Sequence, residues 1–260
     1  MGLLMPISQA RRRAAPSLRR DEGAASEGRL SAKFVEKTRQ SSTNLDNHGM
    51  VSDMDLSRPF SVVTPSLDGD VLYRLALADA AFTPGRLHRL IPTASVDGVR
   101  KALNRLAVQG VVEATPVGHA VTYRLNRDHV AAGAILELAS LGDQVLERII
   151  DALGEWRHRP VYGAVFGSWA RREAGTVSDL DLFLVQPDDA PADMWAAQVD
   201  AIERDATRWT GNDTRSLVLT ENHVRQHPHD PVLRSILDEG HTVSGDPSWL
   251  ASLVNRARRP

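Results

Sequence analysis

Cysteine is absent from the 260 residues. That excludes disulfide scaffolds, thiolate zinc sites, iron–sulfur clusters and thiol nucleophiles together. Lysine is nearly absent too, standing only at Lys33, Lys37 and Lys101 while arginine supplies the remaining basic residues. So global a substitution has no single physical cause and reads first as coding bias. No apolar run approaches the ~20 residues that a membrane-spanning helix needs, which argues against an integral membrane protein and for a cytoplasmic one. An excess of positive charge is also missing: 31 basic residues meet 33 acidic ones, for a formal net charge of −2. A polybasic nucleic-acid binder is thereby excluded, and any nucleic-acid contact must come from a local patch. What is present is ordinary for a globular chain, with 42% apolar and 25% charged residues in a length that suits one large domain or two small ones.

Residues 1–57 are rich in Ser, Ala, Gly and charge, with only scattered apolar residues such as Phe34, Val35 and Leu45. Such a composition buries too little surface to offset its ordering entropy, so the expectation is disorder, or an extension preceding a true start at Met50 or Met54. The clusters Arg11-Arg12-Arg13 and Arg19-Arg20 admit a basic nucleic-acid arm or a transit peptide, but Asp21, Glu22, Glu27 and Glu36 soon dilute them.

Order begins near Phe60. Val71, Leu72, Leu75 and Ala76 form a stripe of helical period, Thr83-Pro84 opens a second helix, and Ser95 caps a third that runs to Gln109 before Gly110. Two β-rich runs, 111–113 and 121–125, then flank a turn at 116–119, which predicts a hairpin. With Val99, Ala102, Leu103 and Leu106 turned inward, the third helix keeps Arg100, Lys101, Asn104 and Arg105 for its outer surface. Arg and Asn can bond base edges in the major groove, and Lys and Arg bind phosphate. Residues 95–112, S-x-x-G-V-x-x-A-L-x-R-L-x-x-Q-G-V-V, resemble the recognition helix and first wing strand of bacterial winged helix-turn-helix regulators. The resemblance implies a winged helix over 60–128 and DNA as a partner. From 129 to 156 an apolar stripe (Leu136, Leu138, Leu141, Val145, Leu146, Ile149, Ile150, Leu153) predicts one long connecting helix, able to pack on either neighbour or to pair with a twin in a homodimer.

The stretch VYGAVFGSWARREAGTVSDLDLFLV, 161–185, carries the chemistry. Residues 161–166 read as a buried strand, broken by Gly167-Ser168 and a short helical turn, and a second strand follows from Asp179. Side chains alternate along a strand, so Asp179 and Asp181 share one face and Leu180, Leu182 and Leu184 the other. Two carboxylates on one face are costly unless solvated or paired with cations, and oxygen ligands so spaced suit Mg²⁺ or Mn²⁺. The Gly167-Ser168 turn offers backbone N–H groups and a hydroxyl to a phosphate, with Arg171 and Arg172 beside it. A phosphate cradle next to a divalent-metal pair is the equipment of phosphoryl or nucleotidyl transfer.

Gly167-Ser168, ten residues, then Asp179-Leu180-Asp181 is similar to the G-S-x10-D-x-D signature of the polymerase-β-like nucleotidyltransferase superfamily, and most resembles its minimal members. The resemblance implies a small mixed-sheet α/β domain over 157–260 that binds a nucleoside triphosphate with Mg²⁺. It places Ser168 on the triphosphate and Asp179 and Asp181 on the metal. Arg171 falls at the motif's arginine, and Arg172 replaces its usual glycine. The superfamily adds a third carboxylate from a later strand. Here the next strand, 215–220, contains no acid; Asp213 stands just before it and Glu221 just after, so either is a weaker catalytic candidate. His223, His227, His229 and His241 match no metal-ligand spacing.

The chain as a whole is therefore expected to be α+β: winged helix, connecting helix, nucleotidyltransferase-like domain. Two functions fit. One is a DNA-binding protein of transcription-regulator type, whose nucleotidyltransferase fold binds nucleotide as an enzyme or as a sensor. The other is a transferase modifying a small molecule, RNA or protein, of antibiotic-modifying or toxin–antitoxin type, with the winged helix only recruiting its substrate or partner.

Overall fold

The computed structural model describes residues 54–55, 58–171 and 178–256. The expected N-terminal extension therefore lies outside the described residues except for Met54 and Asp55. Among the described residues no helix is long and apolar enough to cross a membrane.

The first part of the described residues is helical. A short 3-10 turn at Pro59–Val62 precedes helix α1 (Leu67–Ala76), α2 (Pro84–His88) and α3 (Val96–Val108). The helix starts follow the expected side-chain logic. Thr83 Oγ1 accepts from the Arg86 N–H at 3.3 Å and Ser95 Oγ accepts from the Gly98 N–H at 3.0 Å. Each bond satisfies a backbone donor that has no partner within the helix, a contribution of ~1 kcal/mol. Gly110, with φ of 77°, ends α3 in the left-handed conformation that glycine adopts without penalty. The hairpin of β1 (Val112–Val117) and β2 (Ala120–Leu125) follows, and Phe82 adds a single bridge to Tyr123 on its other side. Val71, Leu75, Leu87, Val99, Leu103, Val112 and Leu125 close a first apolar cluster beneath these elements.

The predicted single connecting helix is two helices. α4 (Ala132–Ala139) stops at Ser140 and α5 (Leu141–Gly154) begins immediately. Ser140 Oγ bonds the Glu137 carbonyl at 3.0 Å, and the Gln144 side chain donates to both that carbonyl and Ser140 Oγ. These polar contacts take over carbonyls that a continuous helix would have used internally. The break lets the stripe turn: Ile135 joins the first cluster, whereas Val145, Ile149 and Leu153 join a second. Most of the apolar stripe, expected either to pack on a neighbouring domain or to pair with a twin, is thus covered by this chain itself.

The second cluster lies on a four-stranded sheet of order β5-β4-β3-β6, built from β3 (Tyr162–Phe166), β4 (Leu180–Gln186), β5 (Thr214–Thr220) and β6 (His241–Gly245). β3 runs antiparallel to β4 and β6, and β4 runs parallel to β5. A parallel neighbour needs a crossover, and α7 (Ala192–Thr210) supplies it, numbered after the short α6 (Gly167–Ala170) that follows β3. Leu180, Leu182 and Leu184 are fully buried on one sheet face against α5 and α7, where Trp195, Val199, Ile202 and Ala206 meet them. Burying a leucine side chain is worth ~1.5–3 kcal/mol, so this face fixes the register of β4 and with it the placement of the alternate residues. After β5 come α8 (Glu221–Gln226), α9 (Pro231–Glu239) and α10 (Pro247–Arg256), the last two lying around β6. On this second face Tyr162 meets Phe183 and stacks on Trp249.

Candidate functional site

The leucine face leaves Asp181 to point to the other side of the sheet. Across the strands Phe166 pairs with Asp181, and Asp181 with Arg215, so the end of β3 and the starts of β4 and β5 converge at one end of the sheet's strands. The turn after Phe166 places Gly167 directly against the Asp181 carboxylate. Gly167 has φ of 76°, and a Cβ built there would lie 2.6 Å from Asp181 Oδ2. Only glycine combines that backbone with that approach. The Gly167-Ser168 turn and the Asp-Leu-Asp strand, separate in sequence, are therefore in contact. Trp169 anchors the turn by burying its ring in the second cluster, and the Ala170 carbonyl meets His241 Nε2 at 3.0 Å.

Burial raises the Asp181 carboxyl to about 6, aided by the negative charge of Asp179 and opposed by Arg215. Asp179 is raised as well, mainly by burial, with Arg215 lowering it and Asp213 raising it. Both shifts identify carboxylates short of solvation. The cation nearest them is Arg215. Its Nη1 stands 3.0 Å from Asp179 Oδ2. Its Nε and Nη2 reach Asp213 Oδ2 at 3.1 and 2.9 Å, and the side chain is only 11% exposed.

The other expected site residues divide. Arg171 forms an ion pair with Glu239 on α9, its Nη1 2.6 Å from Oε2. Arg172 lies outside the described residues. Asp213 is at the right end of β5, held by Arg215, and its carbonyl receives the Leu180 N–H at 2.8 Å. Glu221 is excluded from the site by direction: it follows the far end of β5, ~20 Å along the strand from Arg215, and pairs with Arg225 on its own helix. On α3, Arg100, Lys101, Asn104 and Arg105 are all exposed on one surface, as expected. Their charges are partly matched. Lys101 Nζ is 2.9 Å and Arg100 Nη1 3.5 Å from Asp97, Arg105 bonds Asp68 of α1 through two nitrogens, and Asn104 Oδ1 accepts the Tyr123 hydroxyl at 2.9 Å.

No protein-family profile matches the chain, and no curated protein matches it. Solved structures similar to it include the toxin–antitoxin pair MntA–HpeT in a mutant form, at 11% identity and TM-score 0.33 over 43% of this chain and 82% of the other. A toxin–antitoxin structure with AMP-PNP gives 11% identity and TM-score 0.32 over 43% and 82%. A tri-AMPylated HEPN toxin of Shewanella oneidensis in complex with MNT antitoxin gives 11% identity and TM-score 0.31 over 44% and 82%. The functional reading rests on the residues of the site itself.

Those residues do not fit the three-carboxylate metal centre that the motif implies. Among the described residues no group of three His, Asp or Glu side chains is placed to hold a metal ion. The strand that should bring the third acid brings Arg215 instead, already lodged against Asp179 and Asp213. Arg215 carries no signal in sequence as a site residue, because only the register with Asp181 gives a lone strand arginine its meaning. Asn212 is a second residue of this kind, and it is fully buried. The Asn212 side chain accepts the Met54 N–H at 3.1 Å and donates to the Ser178 carbonyl at 2.9 Å, fixing the backbone just ahead of Asp179. Its only signal in sequence is a short polar side chain behind the helix-ending Gly211.

Proposed function

We propose that the chain is a nucleotidyltransferase-type protein that binds a nucleoside triphosphate at the Gly167-Ser168 turn, and whose α3 surface reads DNA. The contact of Gly167 with Asp181 carries the first part. It sets the backbone N–H groups and the hydroxyl of a strand-to-helix turn beside two partly buried carboxylates, an arrangement suited to a phosphate and its counter-cation. Ser168 bonds a phosphate oxygen, and Gly167 allows the phosphate to approach the backbone closely. Because β5 offers Arg215 where the acceptor hydroxyl would need a base, the bound nucleotide acts as a signal and is not transferred. Its effect on DNA affinity follows from a difference in its binding to the free and DNA-bound forms.

Equilibrium binding of labelled nucleoside triphosphates to the purified chain tests the site. At least one should bind, and Ser168→Ala should weaken it by about tenfold to a hundredfold, since a hydrogen bond to a charged group is worth ~1.5–3 kcal/mol. Binding of none of them, or label transferred to an acceptor in cell extract, would contradict this reading.

The DNA reading rests on the exposed row of α3 and makes a prediction of its own. Phosphate must compete with Asp68 and Asp97 for the arginines and the lysine. Asp68→Asn should therefore strengthen binding to genomic fragments. Arg105→Ala and Arg100→Ala should each weaken specific binding by ~1–3 kcal/mol, and Lys101→Ala should shallow the salt dependence. Fluorescence anisotropy at several salt concentrations measures all four; indifference to the combined removal of the three cations would end the proposal.

A further inference from the structure

A triphosphate brought to Gly167 and Ser168 faces Asp179, Asp181 and Asp213, so a cation has to stand between the carboxylates and the phosphates. We propose that this cation is the guanidinium of Arg215, built into the chain at the position where a divalent ion would otherwise be held. The inference rests on the assignment of Gly167, Ser168 and the two aspartates to one site.

Three observations carry it. Arg215 and Asp181 are Cα partners on adjacent parallel strands, so their side chains leave the sheet on the same face. The guanidinium is almost fully buried, with Asp179 on one side and Asp213 on the other. A side chain so placed is a permanent resident, because arginine stays protonated at any pH a protein survives. Finally, the Nη1 nitrogen is buried and makes no directed hydrogen bond, although it lies 3.0 Å from Asp179 Oδ2. The contact with Asp179 is ionic, a charge pair that already neutralises the carboxylate a divalent ion would use.

A divalent ion entering this site would meet a like charge already bonded to its first ligand. It would have to expel a guanidinium from a buried position or share the carboxylates with it. The site should therefore bind phosphate without metal, and should acquire metal affinity only when the guanidinium is removed.

The test titrates the full chain with Mn²⁺ alone and follows free Mn²⁺ by electron paramagnetic resonance. Wild type and Arg215→Lys should show no saturable binding where Arg215→Ser, checked for native far-ultraviolet circular dichroism, gains a site. Affinity should rise about tenfold or more, and Asp179→Asn in the Arg215→Ser background should remove it. Saturable Mn²⁺ binding by wild type that Asp179→Asn abolishes would overturn the proposal. So would a folded Arg215→Ser variant that gains no site. If that variant does not fold, the wild-type titration still decides, since metal held at Asp179 beside an intact Arg215 refutes the idea and its absence, with triphosphate bound in the presence of chelator, upholds it. Failure of the nucleotide arm alone, with Mn²⁺ gained on loss of Arg215, would instead retire the triphosphate reading and leave the role of Arg215 standing.

Discussion

Asp181→Asn is expected to make the protein more stable at about pH 8 and no more stable at about pH 4. The carboxyl is raised from 3.8 to about 6 in the folded chain, chiefly because burial disfavours its charged form. A folded-state value above the unfolded one means that the native protein holds the proton more tightly. The group's stabilising contribution is then complete below about pH 4 and is lost as the pH rises through about 6. Above that range the native state carries a poorly solvated charge near Asp179. A shift of about two units corresponds to an upper figure of ~3 kcal/mol, so a gain of ~1–3 kcal/mol is expected from the neutral amide. At roughly 2–4 °C per kcal/mol for a chain of this size, thermal unfolding at several pH values resolves it. A variant less stable than wild type at about pH 8 would show that attraction to Arg215 outweighs the burial cost.

Gly167→Ala should produce the opposite change and should silence the site. The positive φ alone costs an L residue ~1–2 kcal/mol. The added methyl would also drive into Asp181 Oδ2, 2.6 Å away, so the carboxylate or the turn must move. A loss of ~2–3 kcal/mol in denaturant unfolding is expected, with triphosphate binding reduced below detection. The two causes can be separated. In an Asp181→Ala background the steric part disappears and the backbone part remains, so the cost of Gly167→Ala should fall by about half. Gly133→Ala is the control: it lies within α4, nothing surrounds its Cβ position, and alanine should stabilise by ~0.5–1 kcal/mol. Equal costs for Gly167→Ala with and without the Asp181 carboxylate would mean that the approach of turn to strand is not what glycine serves.

How much of this was legible in the sequence depended on range. Caps at Thr83 and Ser95, the turn at Gly110 and the alternation of 179–184 are encoded within a few residues, and they appear where local chemistry puts them. The break at Ser140 has only Gly142, two residues further on, to mark it in sequence; it follows from two apolar clusters that a straight helix cannot serve together. Glu221 is as eligible as Asp213 in sequence, and only the direction of β5 separates them, since a parallel strand puts its first residues beside Asp181 and its last residues far away. Arg215 was visible as a residue and invisible as a site component for the same reason. Its role arises from register, which a pattern read along one strand does not contain.

The distribution of indole rings between the two clusters has an optical consequence. All five tryptophans lie at or beyond position 156. Trp156 and Trp195 meet edge to face at 5.3 Å, Trp169 and Trp209 pack in the same cluster, and Trp249 stacks on Tyr162. The cluster under α1–α3 has Phe60, Tyr73, Phe82 and Tyr123 as its aromatic residues and no indole. Emission excited at the red edge of the spectrum therefore watches the sheet and is blind to the helices that precede it, while the amide signal in the far ultraviolet sums both. Superimposable unfolding curves from the two signals would mark a single cooperative unit; curves that part would time the halves separately, with no label added to the chain.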